Sequence, residues 1–260
     1  MALLPSEVAA AAHAFVDDLD APRLDAHDLH HFARVLRLRP GERITVADGA
    51  LARGFRPDGL AKAGRGRWRL ARVSDEGLIA SEGWLEVDEP AIEVERKPPV
   101  TVALAMTKVD RFELAVQKLA ELGVDRIVVF GADHSVARWE GDKAARLRVR
   151  CETIVREAAM QSRQLYFSQV IGPVALEEAL TTEAPFGPLS MADIHGGTLP
   201  GRCCGIAIGP EGGFSAAELA LAQRCGSPLV RLPGGVLRAE TAAIVAGALL
   251  AQARFGRAGV

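Results

Sequence analysis

From residue 100 to the C-terminus, short apolar runs alternate with amphipathic stretches, and no other feature restricts the fold of this chain as much. Runs at 100–105, 127–130, 166–170, 189–194, 204–208 and 229–232 predict strands. Helical spacing covers 111–122, 143–162, 175–180, 216–225 and 240–254. Strands this apolar, separated by helices, predict an α/β fold with a mainly parallel sheet covered on both faces. The chain ahead of residue 90 follows another pattern. One helix is expected at 25–38, where Leu29, Phe32, Ala33 and Leu36 share a face, opened by Asp25 or Asp28. Short strands are expected at 43–47, 68–73 and 83–87, with Asp48-Gly49 as a hairpin signal. This part reads as a small β-rich module, a compact barrel with a basic helix on it. The stretch from Asp88-Glu-Pro90 to Lys97-Pro-Pro99 is acidic and rich in proline, so domains of 1–90 and 91–260 are expected.

The formal net charge of -2 conceals segregation along the chain. Residues 1–22 carry four acids and no Lys or Arg, whereas 23–72 carry twelve bases, eleven of them arginine, against five acids. Residues 73–97 then carry eight acids against two bases. Arginine suits forked recognition of phosphates and stacking on bases, so a nucleic-acid partner for the N-terminal module is one reading and a solvated basic face the alternative. No apolar run approaches the roughly 18–20 residues that a membrane span needs. The N-terminus lacks a basic leader, and a cytoplasmic location is the expectation. Cys151, Cys203, Cys204 and Cys225 form no C-x-x-C and have no histidine at ligand spacing, so buried, reduced thiols and no metal are expected.

Two glycine-rich loops carry the chemistry. Ile208 leads into Gly209-Pro210-Glu211-Gly212-Gly213, and Leu232-Pro233-Gly234-Gly235-Val236-Leu237-Arg238 leads into Ala239-Glu240-Thr241. Each follows a predicted strand and precedes a helix, the place where open α/β sheets bind ligands. Ser215 and Glu218 have capping-box spacing. Neither G-x-x-x-x-G-K-[ST] nor a G-x-G-x-x-G in the first βα turn is present, and the loops hold no lysine. A nearly uncharged site lined by backbone suits the adenosine and methionine ends of S-adenosylmethionine better than a triphosphate. Arg238 is the best-placed cation, and its structural alternative is an ion pair with Glu240 or Glu211.

Five strings in order, HHFARVLR at 30–37, KLAELG at 118–123, EAAMQS at 157–162, IGPEGGF at 208–214 and VLRAETA at 236–242, resemble the 16S ribosomal RNA uracil-1498 N3-methyltransferase family (RsmE). The resemblance runs over essentially the whole chain. It implies a PUA-like β-barrel domain followed by a SPOUT-type α/β domain with a C-terminal trefoil knot. It also implies S-adenosylmethionine as methyl donor, 16S rRNA or the small ribosomal subunit as partner, and a homodimer. On this resemblance the cofactor is held by Ile208, Gly209, Pro210, Glu211, Gly212, Gly213, Leu232, Gly234, Val236, Leu237 and Thr241. Arg238 and Glu240 are the catalytic candidates: Arg238 would stabilise the uracil anion, and Glu240 or Glu211 would act as base or orient Arg238. His30, His31, Arg34, Arg37, Gln161 and Arg163 are the RNA-binding candidates. The sequence departs from the family pattern at two places. Pro233-Gly234-Gly235 replaces the usual Gly-Pro-Arg, and Arg163-Gln164 replaces Gly-Arg. A non-catalytic RNA-binding or ribosome-assembly protein and a ribose 2′-O-methyltransferase are the competing functions.

Overall fold

The structure is a computed structural model describing residues 4–48, 65–95, 97–135, 141–181 and 187–256. It divides into two compact units, Met1–Arg96 with Ala159–Phe167, and Lys97–Ala158 with Ser168–Val260.

The first unit contains β1 (Ala12–Phe15), α1 (Ala26–His30), β2 (Arg43–Ala47), β3 (Arg65–Val73), β4 (Leu85–Val87) and β5 (Ile92–Glu95). They form a five-stranded sheet in the order β1-β2-β3-β4, with β5 also paired to β3. β1 runs parallel to β2, and the other pairings are antiparallel. Trp68, Phe32 and Ile44 are fully buried at its centre. Sequence pattern missed two of these strands. The Ala-His-Ala-Phe of β1 is buried on both faces, so no alternation marks it. The Ile-Glu-Val-Glu of β5 does alternate, but it lies inside the acidic, proline-rich stretch taken for a linker; its pairing with β3 moves the seam from residue 90 to Arg96. The hairpin signal Asp48-Gly49 extends outside the described residues.

The segment 159–167 also belongs to this unit, although sequence pattern places it among the α/β elements. Leu165 packs with Trp68 and Leu70, and the Phe15 and Phe167 rings lie 3.9 Å apart. Gly66 leaves room for the Tyr166 ring, with which a Cβ there would collide. The strand expected at 166–170 accordingly begins only at Gln169.

The second unit runs β6 (Thr101–Ala105), α2 (Val109–Glu121), β7 (Arg126–Phe130), α3 (Gly141–Gln161, its last turn excepted), β8 (Gln169–Val174), α4 (Leu176–Thr181), β9 (Ser190–Gly197), β10 (Gly205–Ile208), α5 (Ala216–Arg224), β11 (Leu229–Val230) and α6 (Ala239–Gly256). Its six strands are ordered β11-β9-β10-β6-β7-β8, and every pairing is parallel. β6, β7 and β10 are buried along their whole length, which explains their continuous apolar runs. The small-residue face of α6 has a concrete partner: Gly247 lets it approach α2 so closely that a Cβ would lie 2.7 Å from Leu119 Cδ2. Arg254 on α6 closes the packing, its Nη1 donating to Asp125 Oδ2 at 2.6 Å while the same oxygen accepts the Val100 amide at 2.8 Å. From β6 the chain proceeds to β7 and β8 on one side, while β10, β9 and β11 fill the other. β6 and β10 therefore flank the switch point, where a crevice forms beyond the carboxyl ends of the strands.

Candidate functional site

Ile208 ends β10 fully buried, and the chain then turns through Gly209–Gly213, closed by the Gly213 amide donating to Pro210 O at 2.9 Å. Gly213 sits at φ 71°, a conformation side chains disfavour. At Gly209 the constraint is space, because a Cβ would stand 2.9 Å from Phe214 Cε2 and push that ring off its stack on Phe130. The capping box forms as expected: Ser215 Oγ accepts from the Glu218 amide at 3.2 Å, and Glu218 Oε2 accepts from the Ser215 amide at 2.8 Å. It also binds the loop after β7. Glu218 Oε1 accepts the Asp133 amide at 3.0 Å, Ser215 Oγ donates to Asp133 Oδ2 at 2.5 Å, and His134 Nδ1 lies 3.1 Å from Gly213 O. Sequence reasoning missed Asp133 and His134, because nothing local marks two polar residues that matter only through a loop 80 residues away.

The second loop leaves β11, and the Arg231 amide donates to Gly197 O at 2.8 Å. Gly234 has φ 102°, while Gly235 has open space where a side chain would project. Pro233, Gly234 and Gly235 are exposed, Leu232 and Leu237 half-buried, Thr241 exposed, and Val236 is 89% exposed. Gly234 and Gly235, like Gly212 and Gly213 in the first loop, expose backbone, and Pro233, Val236 and Thr241 add uncharged surface, so the loop residues beside Glu211 carry little formal charge.

The charged residues at the mouth are arranged differently from the expectation. Arg238 is exposed, and no ion pair joins it to Glu240, Glu211 or any other described residue. Both carboxylates turn to Arg111 in the first turn of α2. Its Nη1 stands 3.5 Å from Glu211 Oε1 and 3.6 Å from Glu240 Oε1. Glu240 is buried, and its other oxygen, Oε2, has no hydrogen-bond partner among the described residues. Arg111 lay beyond sequence reasoning because it follows β6, far in sequence from either loop.

In the first unit, Asp25 caps α1 by accepting the Asp28 amide at 2.8 Å, and the helix widens into a π turn at His31–Val35. Arg37, at φ 54°, stops it. His30, Arg34 and Arg37 are exposed and His31 is half-buried; no described residue forms an ion pair with any of the four. Five other arginines of the basic segment are paired within the fold. Arg43 pairs with Asp88 and Glu89, Arg72 with Glu86, Arg67 with Asp48, Arg69 with Asp20, and Arg23 with Glu82. The unit as a whole carries fourteen bases against seventeen acids. An acidic side shows in a cavity of about 640 Å³ lined by Asp17, Asp18, Asp25 and Glu82 beside Trp84, where Arg23 is the one cation among the described residues and is paired with Glu82. Among the described residues, the basic charge left without an ion pair includes a patch at the end of α1, while Arg53, Arg56 and Lys62 lie outside the described residues.

Gln161, at the end of α3, is exposed. Arg163 has another task than gripping RNA: at φ 53° it turns its guanidinium inward, donating to Val8 O at 2.9 Å and Ala10 O at 2.5 Å. The departure from the family pattern at 163–164 thereby supplies a clamp on β1's approach strand. None of the four cysteines is in a disulfide, and burial, with the Glu113 carboxylate as a smaller cause, pushes the Cys151 thiol up to about 12. Among the described residues no helix is long and apolar enough to cross a membrane.

Residues 95–251 match the RNA methyltransferase domain family, and residues 24–53 match the RNA methyltransferase PUA domain. The sequence is 33% identical over 241 residues to the ribosomal RNA small subunit methyltransferase E of Mycobacterium bovis, covering 86% of this chain and 83% of the relative. It is 30% identical over 236 residues to the protein of the same name from Synechocystis, covering 86% and 70%. Its fold is similar to the crystal structure of ribosomal RNA small subunit methyltransferase E from Neisseria gonorrhoeae bound to S-adenosyl methionine, with TM-score 0.68 at 23% identity, over 93% of this chain and 97% of that one.

Proposed function

The chain belongs to the ribosomal RNA small subunit methyltransferase E family, and we propose that it transfers a methyl group from S-adenosylmethionine to N3 of a uridine, position 1498 of 16S rRNA by family resemblance. One observation carries this reading: beside the switch point of a parallel sheet, Arg111 brings together Glu211 of the first glycine-rich loop and Glu240 just past the second, with Arg238, which has no ion pair among the described residues, two positions before Glu240.

The residues present suit that methyl donor. Gly213 and Gly235 leave open space in front of the loops, and the buried Glu240 Oε2 lacks a donor that an amine or hydroxyl of the ligand would supply. Ile208, Gly209, Pro210, Glu211, Gly212 and Gly213 would form one wall, and Leu232, Gly234, Val236, Leu237 and Thr241 the other. S-adenosylmethionine supplies an electrophilic methyl group on a sulfonium.

The uracil must leave its stack, at a cost of a few kcal/mol repaid by phosphate and pocket contacts. His30, His31, Arg34 and Arg37 would hold the RNA backbone. As the N3 proton departs, negative charge spreads onto O2 and O4, and the Arg238 guanidinium donates hydrogen bonds to one of them. Glu240 or Glu211 accepts the proton at a carboxylate oxygen, which frees an electron pair on N3 for the methyl group that the bound donor would supply; the donor would leave as a neutral thioether. The reading includes the trefoil knot, supported by the return of α6 from the sheet edge to lie against α2, β6 and β10. It includes a homodimer, which the family resemblance implies.

The test is to incubate the protein with labelled S-adenosylmethionine and small ribosomal subunits lacking the modification, then to map the product nucleoside. N3-methyluridine is expected. A 2′-O-methylated nucleoside would replace the reaction, and no transfer despite RNA binding would leave an assembly factor.

A further inference from the structure

We propose that Arg111 is a positioning residue that keeps Arg238 available for the substrate by occupying the two carboxylates that would otherwise capture it. This rests on the role given to Arg238 above. Glu211 stands in the loop after β10, and Glu240 opens α6 beyond the loop after β11, so either carboxylate would be a ready partner for a cation at the mouth of both loops. Instead one atom, Arg111 Nη1, stands between them at 3.5 Å and 3.6 Å, while Arg238 has no described partner. The arrangement joins three chain segments: those that follow β6 and β10, which flank the switch point, and the one that returns from the edge strand β11.

Electrostatics gives the arrangement its direction. Glu240 is buried, and a buried carboxylate without a countercharge draws the nearest cation toward it. Two carboxylates face one guanidinium, so the cluster keeps a formal charge of minus one, and that residual charge attracts rather than repels a sulfonium. Were Arg111 absent, the cluster would carry minus two, and Arg238, whose side chain is exposed and unpaired, would be the available replacement. A captured Arg238 cannot donate to O2 or O4 of the uracil. Arg111 therefore acts on turnover through Arg238 and leaves the backbone that holds the methyl donor in place.

The test compares Arg111→Ala and Arg111→Lys in three measurements: S-adenosylmethionine affinity by calorimetry, kcat and KM on unmodified small subunits, and the crystal structure of the Arg111→Ala protein. Arg111→Ala should lower kcat about thirtyfold or more while cofactor affinity stays within about threefold. Arg111→Lys, still a cation between two carboxylates, should recover most of the loss. The crystal structure should show Arg238 turned onto Glu240 or Glu211. An Arg238 that remains unpaired in that crystal, or an Arg111→Lys variant no better than Arg111→Ala, would overturn the proposal. Failure of the underlying reading looks different: the unaltered protein would then form no N3-methyluridine, whatever the crystal shows of Arg238.

Discussion

The arginines at the end of α1 and those on the sheet of the first unit come from one basic segment, yet the fold puts them to opposite uses. Arg34 and Arg37 extend from a helix end into solvent without an ion-pair partner among the described residues, whereas Arg43, Arg67, Arg69 and Arg72 lie on strands whose neighbours supply acids. The acids arrive from elsewhere in the chain: β4 sets Glu86 directly across from Arg72, and Asp20 reaches Arg69 from the segment after β1. Cross-strand pairing of opposite charges is a normal device of sheet stability. Among the described residues, what α1 presents to a polyanion is a patch of side chains that no acid has claimed. The loops of the second unit make the contrast sharper, since they offer a ligand backbone and open space where α1 offers side-chain charge.

The largest effect should come from filling that space. Gly235→Val projects a branched side chain into a region no protein atom occupies within 4 Å, at a backbone conformation open to side chains. Cofactor affinity should fall by about a hundredfold or more, with the melting temperature nearly unchanged. Calorimetry with unchanged affinity would show that the second loop does not face the methyl donor. Next in size, the Arg34→Gln/Arg37→Gln pair should weaken RNA binding roughly tenfold to a hundredfold at moderate salt and reduce the slope of log K against log salt by about 1.5. Its cofactor affinity should not move, and a loss there would dissolve the division of labour between backbone and charge. The paired arginines supply the counter-case. Arg43→Gln and Arg72→Gln should each change RNA affinity by less than about twofold, because their charge is already spent on Asp88, Glu89 and Glu86. An effect as large as that of Arg34 and Arg37 would restore the basic face that the sequence suggests.

These RNA comparisons need a pH at which the first unit is fully stable, and His13 sets it. The ring is buried against Phe15, with Nδ1 2.8 Å from Thr45 Oγ1; burial, reinforced by the positive Arg163, lowers its pKa from 6.5 to about 3. Between those values the unfolded chain binds a proton that the folded chain refuses, so this contribution to stability is complete above pH 6.5 and is lost as pH falls toward 3. Denaturant melts should show that decline, and His13→Asn should flatten it across the same interval.

Local pattern was sufficient for most of the second unit. The strands at 100–105, 127–130 and 204–208 and their helices match closely because buried parallel strands and amphipathic helices are written in nearest-neighbour periodicity. The capping box at Ser215 was legible for the same reason, being complete within four residues. β1 was invisible because a strand buried on both faces and made of Ala, His and Phe has no period to read. Arg163 shows how motif position misleads. It stands beside a string that matches the family, but its left-handed backbone points the guanidinium at Val8 and Ala10.

By itself the sequence determined the α/β character of the second unit, its two glycine-rich loops and the absence of phosphate-loop signatures, since each depends on residues close together in the chain. Only the tertiary structure decided which charges remain free. Arg111 meets Glu211 and Glu240 across separations of 100 residues or more, and β4 and β5 bring the acids of 73–97 onto the arginines of β2 and β3. Coulomb energy depends on distance in space and on burial, and neither can be read from distance along the chain.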